Sequence, residues 1–291
     1  MITAPAVRAR KHASEPLVMV TAYDAPGARI ADEAGVDMIL VGDSLAMVVL
    51  GYDDTLSVTV QDMAHHTAAV ARGLAKSAGS SRGDHPLLVA DMPWMSYHVS
   101  VEDTVRNAAV LIRAGAAAVK LEGGRKRVGM VEAIVDAEVP VMGHIGLTPQ
   151  SVHAMGGFKV QGKEAGAAEA LVEDALALAD AGCFAVVLEG VPDAVARMVT
   201  EAVTVPTIGI GAGPWCDGQV LVLHDLLGLE DRIVPKFVRR YASQKADAVD
   251  AVARYAADVR SRRFPSDGES YHLADDVARM LGLYGSDSAT A

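Results

Sequence analysis

Ala114-Gly-Ala-Ala-Ala-Val-Lys-Leu-Glu122 holds, in nine residues, the end of a helix, a turn, a short buried strand and an acid at its far end. The preceding run, Val101 to Ala114, has the spacing of an amphipathic helix. Gly115 then stands where a helix stops in the left-handed conformation, which glycine adopts without steric cost. Ala118 to Leu121, short and aliphatic apart from Lys120, suits a buried parallel strand covered on both faces. The same order recurs twice. Ala34-Gly35 precedes Met38 to Val41 and Asp43, and Ala181-Gly182 precedes Ala185 to Leu188 and Glu189.

Working outward, strands are expected near Leu17 to Thr21, Met38 to Val41, Leu87 to Ala90, Ala118 to Leu121, Val139 to Met142, Ala185 to Leu188 and Thr207 to Ile210. An eighth falls at Val220 to His224 or around Ile233 to Phe237, and periodicity does not separate a short buried strand from a helical turn. Helical composition fills the gaps at Ala25 to Ala34, Val60 to Leu74, Val101 to Ala114, Gly129 to Ala137, Glu164 to Ala181 and Asp193 to Val203. About eight βα units in roughly 250 residues is the size of a closed (β/α)8 TIM barrel. The first strand is not followed by the Gly-x-Gly-x-x-Gly turn of a doubly wound sheet. A single barrel domain over 1–291 is expected, with an N-terminal extension 1–15, a C-terminal helix about 241–262 and a tail 273–291. The Ser- and Gly-rich stretch Lys76 to His85 reads as a surface loop.

Acids stand directly beyond four apolar runs: Asp43, Asp91, Glu122 and Glu189. In a barrel these positions share the rim on which the βα loops converge and where barrel active sites sit. Carboxylates crowded into a partly dry site repel one another, so such a cluster calls for a cation or a proton. Mg²⁺ fits, since it takes oxygen ligands from one or two carboxylates together with substrate oxygens and waters. Lys120, two residues before Glu122, points to the same side of its strand and can meet a substrate anion. The plainer alternative makes each acid a helix cap, Lys120 a solvated or salt-bridged lysine. His144, expected just beyond the fifth strand, can orient substrate or shuttle a proton, or serve as a hydrogen-bonded structural histidine. Gly209-Ile-Gly-Ala-Gly213 could cradle an anion through its backbone N–H groups, and close packing at the rim explains it equally well. His65 and His66 have no paired metal spacing and receive no role.

Composition narrows the classes further. The formal charge of -11, without a long Lys/Arg block, speaks against nucleic acid or an anionic membrane surface as partner. No apolar run approaches the ~20 residues that span a bilayer, and no secretory signal is expected at the N-terminus. The two cysteines, Cys183 and Cys216, make neither a metal spacing nor a disulfide framework, which fits a reducing cytoplasm. Cys183 lies before a strand, on the stability side of a barrel, and no Gly-x-Ser-x-Gly elbow occurs, so hydrolysis by a Ser or Cys nucleophile is not expected. A small-molecule enzyme remains.

Eight short stretches, in order, carry a resemblance: Val18-Met-Val-Thr-Ala-Tyr-Asp24, Val41-Gly-Asp-Ser-Leu45, Asp91-Met-Pro93, Val119-Lys-Leu-Glu-Gly123, Gly143-His-Ile-Gly-Leu-Thr-Pro-Gln150, Gly156-Gly-Phe-Lys-Val-Gln-Gly162, Leu188-Glu189 and Ile208-Gly-Ile-Gly-Ala-Gly213. Together they resemble the ketopantoate hydroxymethyltransferase family from about Val18 to His272, a barrel of the phosphoenolpyruvate/pyruvate type. The resemblance implies Mg²⁺ at Asp43, Asp91 and Glu122. It implies contact of the α-keto acid with Asp43, Ser44, Asp91 and Lys120, and Glu189 as the proton acceptor. It further implies transfer of a hydroxymethyl group from 5,10-methylenetetrahydrofolate to 3-methyl-2-oxobutanoate through a stabilised enolate, and a cytoplasmic homo-oligomer, a decamer. Ala46 departs from the glycine usual after the Gly-Asp-Ser-Leu run, the 76–85 loop looks long, and the chain continues beyond His272. Two other readings stand beside it: a Mg²⁺-dependent lyase of the isocitrate lyase type, whose Lys-Lys-Cys-Gly-His loop has no counterpart here, and a non-catalytic oligomeric barrel.

Overall fold

β-branched and aliphatic runs too short to be helices pair edge to edge. In the computed structural model they close into a ring of eight parallel strands in the order β1 to β8. The strands are β1 (Leu17–Thr21), β2 (Met38–Val41), β3 (Leu87–Asp91), β4 (Ala118–Glu122), β5 (Val141–Gly146), β6 (Ala185–Glu189), β7 (Thr207–Ile210) and β8 (Gly218–Leu221). β8 pairs with β1 through Leu17↔Gly218 to Val20↔Leu221, so no sheet edge remains exposed. The structure describes residues 1–283 apart from 12, 14, 80–82 and 233. Of the sequence expectations, residues 80–82 of the 76–85 loop and residues 284–291 of the tail lie outside the described residues.

Helices accompany the ring: α1 (Ala4–Arg8), which packs against its interior cluster, then α2 (Ala25–Glu33), α3 (Leu45–Val48), α4 (Val60–Leu74), α5 (Val101–Arg113), α6 (Val128–Asp136), α7 (Val152–Met155), α8 (Ala165–Asp180), α9 (Asp193–Ala202) and α10 (Leu223–Leu227). Asp24, Thr59 and Ser100 cap α2, α4 and α5 by accepting from backbone N–H groups of the first turn. Gly35, Gly115 and Gly182 follow their helices with φ of 77°, 113° and 100°, as the Ala-Gly pairs require. Two compact units result, Met1–Ala242 with the barrel and Ser243–Ala291. The expected C-terminal helix is α11 (Gln244–Arg260), and α12 (Asp275–Met280) follows in the second unit.

Two expectations need correction. The fifth strand starts at Val141 rather than Val139 and runs to Gly146, which puts His144 inside the strand instead of beyond it. Gly143 hides this continuity because glycine is a poor strand former, yet a Cβ there would lie 2.8 Å from Leu178 Cδ1 of α8, so the close helix approach selects it. The eighth strand is Gly218–Leu221, overlapping the first of the two candidate segments, while Val234 to Phe237 form no strand. Gly218 begins it because a Cβ would meet the Leu17 carbonyl oxygen at 2.6 Å.

Side-chain parity divides the interior. Alternate residues Leu17, Met19, Met38, Leu40, Leu87, Val89, Ala118, Met142, Ala185, Val187, Ile208 and Val220 fill the ring. Ala4 and Val7 of α1 join the same cluster, with Ile2 packed against it. The N-terminal extension therefore carries part of the barrel core.

Candidate functional site

Two residues beyond Val89, Ala118, Met142 and Val187 along their strands stand Asp91, Lys120, His144 and Glu189, and two beyond Lys120 stands Glu122. Parity alone turns all five into the C-terminal mouth. Strand pairing then sets their neighbours: Asp91 lies opposite Lys120, Glu122 opposite His144, and Gly146 opposite Glu189. Asp43 arrives differently. It lies two residues past the end of β2, in the turn into α3, where its N–H donates to Asp91 Oδ2 at 3.0 Å.

These groups are deeply buried, with Asp91 2 %, Lys120 3 %, Asp43 4 % and Glu122 4 % exposed. Lys120 Nζ lies 2.7 Å from Asp91 Oδ1 and 3.3 Å from His144 Nδ1. His144 Nδ1 is also 3.3 Å from Glu122 Oε1, and its Nε2 is 3.2 Å from Glu189 Oε2. Glu189 is the most open of the set, its side chain 17 % exposed. Ser44 Oγ stands 2.8 Å from the Tyr23 hydroxyl and caps no helix. The structure thus gathers Asp43, Asp91, Lys120, Glu122, His144 and Glu189 at one mouth. None of these acids accepts from the helix that follows its own strand, whereas Asp24 shows what a capping acid looks like here, accepting from Gly27 N at 2.7 Å.

Tyr97 and Gln150 were not legible as site residues. Gln150 Nε2 donates to Asp43 Oδ2 at 2.8 Å and to the Met92 carbonyl at 3.0 Å, and its backbone N–H donates to Glu122 Oε2 at 3.0 Å. The Tyr97 hydroxyl donates to Gln150 Oε1 at 2.5 Å and accepts from Glu122 N at 3.1 Å. Gln150 closes the Gly143–Gln150 stretch, which was a usable signal. Tyr97 offered none, since its partners lie 25 and 53 residues away.

Charge is unevenly balanced across this mouth. Burial pushes the Asp43 carboxyl well above the usual range, and the neighbouring Asp91 and Glu122 push it further. Asp91 is raised by burial against the pull of Lys120. Burial would raise Glu122 too, but the His144 hydrogen bond and charge, Lys120 and the Gln150 N–H together hold it below its ordinary value. Burial and the Lys120 cation oppose protonation of His144, yet Glu122 and Glu189 prevail and bring it to about 9. Lys120 stays charged, since its three acidic neighbours outweigh its burial. Positive charge therefore lies among Asp91, Glu122 and Glu189, and the pull of Lys120 on Asp43 is outweighed by burial and by the Asp91 and Glu122 charges. Among the described residues no three His, Cys, Asp or Glu side chains converge closely enough to hold a metal by themselves. Asp43, Asp91 and Glu122 face one mouth without forming a closed cage.

The remaining sequence candidates resolve into packing. Gly211 has φ 61°, and a Cβ there would lie 2.7 Å from the Phe237 ring, so close approach accounts for the glycine run. His66 Nδ1 sits 2.7 Å from the Tyr23 carbonyl. Cys183 is buried ahead of β6, and burial pushes its thiol up to about 12, far from a nucleophile's range.

Comparison with known proteins adds chemistry to this geometry. A family model described as ketopantoate hydroxymethyltransferase matches residues 1–267. A 3-methyl-2-oxobutanoate hydroxymethyltransferase of Syntrophobacter fumaroxidans is 55% identical over 281 residues, covering 96% of each chain. A second relative, from Bradyrhizobium diazoefficiens and named 3-methyl-2-oxobutanoate hydroxymethyltransferase 2, is 52% identical over 290 residues, 100% of this chain and 96% of its own. Among solved structures, a phosphonopyruvate hydrolase complexed with oxalate and Mg²⁺ superposes with a TM-score of 0.59 at 15% identity, covering 97% of this chain and 95% of that one. A 2,3-dimethylmalate lyase of the PEP mutase/isocitrate lyase superfamily gives 0.53 at 18% identity, with the same two coverages. At those identities the structural likeness concerns the fold.

Proposed function

Because the chain belongs to the ketopantoate hydroxymethyltransferase family, we propose that it transfers a hydroxymethyl group from 5,10-methylenetetrahydrofolate to 3-methyl-2-oxobutanoate, giving ketopantoate for pantothenate and coenzyme A synthesis. The observation that carries this reading is the convergence of three buried carboxyl groups, one lysine and one His–Glu pair on a single barrel mouth.

Mg²⁺ fits the donor set. Asp43 is held well above the carboxylate range by burial and by Asp91 and Glu122, a condition that a divalent cation beside it would relieve. Asp43 and Asp91 are the direct candidates, with Glu122 completing the acidic wall; the open arrangement suits an ion that keeps water and substrate oxygens among its ligands. When bound, the ion supplies Lewis acidity that favours negative charge on the keto oxygen.

The protein's own groups do the rest. Lys120, held protonated by its acidic neighbours, and Ser44, oriented by Tyr23, receive the substrate carboxylate and fix which face of the keto acid points inward. Glu189 removes the proton from the carbon next to the carbonyl. It is the most exposed acid of the set and the one carboxylate whose neighbour at the mouth is His144 Nε2. His144 keeps Glu189 and Glu122 in place across its two ring nitrogens. The resulting enolate carbon bonds to the methylene carbon of the folate as one of its two carbon–nitrogen bonds breaks. Water replaces the other, leaving its oxygen in the hydroxymethyl group, while the proton taken by Glu189 and one from water go to the two nitrogens and tetrahydrofolate leaves.

Assembly and location are part of the proposal. We take the chain to act as one barrel domain with an appended C-terminal unit, in a cytoplasmic homo-oligomer, a decamer. α11 supports the oligomer, because Val249, Val252, Tyr255 and Val259 recur at helical spacing on one face and are 62, 66, 55 and 43 % exposed. Among the described residues no helix is long and apolar enough to cross a membrane.

The test is product formation from 3-methyl-2-oxobutanoate and methylenetetrahydrofolate. Turnover is expected to vanish with EDTA and return with Mg²⁺; turnover that ignores chelation contradicts the metal assignment.

A further inference from the structure

Beside the charged mouth lies a second compartment, a cavity of about 440 Å³ between the β4–α6 connection, the end of β5, α7 and α8. Its volume falls in the range of small-molecule sites. It meets the charged mouth at Glu122, and Tyr97 and Gln150 form the shared wall. The Tyr97 hydroxyl accepts from the Glu122 backbone N–H, the Gln150 backbone N–H donates to the Glu122 carboxylate, and both residues border the cavity on the other side. An occupant of this cavity therefore abuts the acid wall of the keto-acid site without displacing anything in it.

The lining has two characters. Towards the wall stands the His98 ring, 4.3 Å between centroids from Tyr97, with its buried Nδ1 lacking a protein hydrogen-bond partner. Burial, with the Arg127 cation next, pushes His98 down to about 4, so this ring is neutral near pH 7 and presents both a donor and an acceptor. Towards solvent runs Arg125-Lys126-Arg127. Arg125 is engaged by Glu173 and Asp174. Lys126 and Arg127 have no carboxylate within 4.0 Å among the described residues, although Arg127 stacks over the Tyr97 ring at 5.7 Å. In a protein of formal charge -11, two unpaired cations at a cavity rim mark a place for a carboxylate-bearing ligand. The α8 side offers Ala167 and Ala170, whose small side chains leave room for a flat ring.

We infer that this cavity holds the one-carbon donor, a flat hydrogen-bonding heterocycle with its carboxylate tail on Lys126 and Arg127, so that the carried carbon faces the keto-acid site across the Glu122 wall. This inference rests on the proposed function and adds where the folate sits and which residues select for its glutamyl tail. It also assigns Tyr97 and Gln150 as positioning residues for both substrates.

Binding of 5-formyltetrahydrofolate to Ala170→Phe and Lys126→Glu, followed by isothermal titration calorimetry, tests it without turnover. Ala170→Phe fills the cavity from α8 and is expected to weaken binding at least tenfold. Lys126→Glu reverses a rim charge and is expected to weaken the triglutamyl form about fivefold or more, and the monoglutamyl form less. The KM for methylenetetrahydrofolate should follow the same order, while the KM for the keto acid moves by less than twofold. Wild-type affinity in both variants overturns the assignment. So does equal weakening of keto-acid and folate binding, which would mean a general structural disturbance. If wild type forms ketopantoate yet both variants retain the wild-type folate KM, the cavity assignment fails while the proposed function stands. If wild type forms no ketopantoate with any folate, the function itself fails.

Discussion

The same strands end in opposite ways. At the N-terminal end of the barrel, Leu17, Met19, Met38, Leu87 and Ala118 point inward and pack with Ala4 and Val7 of α1. One or two alternations further along, the inward positions become Asp91, Lys120, Glu122, His144 and Glu189. The closed end removes apolar surface from water and stabilises the fold. The open end buries charge, which costs stability unless every group finds a partner. The contrast locates function by energetics: the chain tolerates at one mouth an arrangement that no packing requirement explains.

The comparison can be broken most sharply at Lys120. Lys120→Met leaves Asp91 buried beside its acidic neighbours without its ion-pair partner at 2.7 Å. Stability is expected to fall by about 3–5 kcal/mol at pH 7, and turnover to be lost with it; chemical denaturation and steady-state rates check both. A loss of turnover with unchanged stability would show that Asp91 does not depend on Lys120.

At the closed end the expectation inverts. Val7, fully buried in α1, contributes only packing, so Val7→Ala should cost about 2 kcal/mol of stability from lost transfer and cavity terms. Below its melting range the variant should keep kcat and KM within twofold of wild type. A large kcat effect would mean that the two ends are coupled.

Asp43→Asn sharpens the contrast with the smallest effect and the opposite sign. The folded-state pKa of Asp43 is raised above its unfolded value, so folding favours the protonated form, and stability is lost as pH rises through and above the unfolded value. Removing the charge should raise stability near pH 7 by about 1 kcal/mol in the absence of metal and flatten this pH dependence, while abolishing turnover. Thermal unfolding from pH 4 to 8 reads it. Destabilisation across that whole range would show that Asp43 is structural.

How much of this was legible in the sequence follows from where each signal is stored. Parity and position sit within single strands, so Ala114 to Glu122 sufficed to place Lys120 and Glu122 on one side of a barrel strand. Asp91 and Glu189 followed by the same grammar, and Asp43 by its place just beyond an apolar run. What failed was stored across the fold. Gly143 and Gly218 are set by the approach of Leu178 and Leu17, which no local pattern announces, and they concealed the extent of β5 and the start of β8. Tyr97 acts through hydrogen bonds to residues of other βα units, so its local sequence carried no sign of the wall it forms; Gln150 closes a recognisable stretch, but its bonds to Asp43 and Met92 are set across the fold. The role of α1 was hidden too, because a five-residue helix has almost no periodicity to read.

The central claim is that this charged mouth removes a proton from the carbon beside the carbonyl of an α-keto acid, with Glu189 as the base. The direct measurement is loss of deuterium from 3-deuterated 3-methyl-2-oxobutanoate, followed by NMR in wild type and Glu189→Gln, with and without Mg²⁺ and before any folate is added. The account predicts Mg²⁺-dependent exchange in wild type and a reduction of about a thousandfold or more in Glu189→Gln, equivalent to roughly 4 kcal/mol or more of barrier. Exchange at the wild-type rate in Glu189→Gln, or no exchange in wild type under any condition, would contradict it.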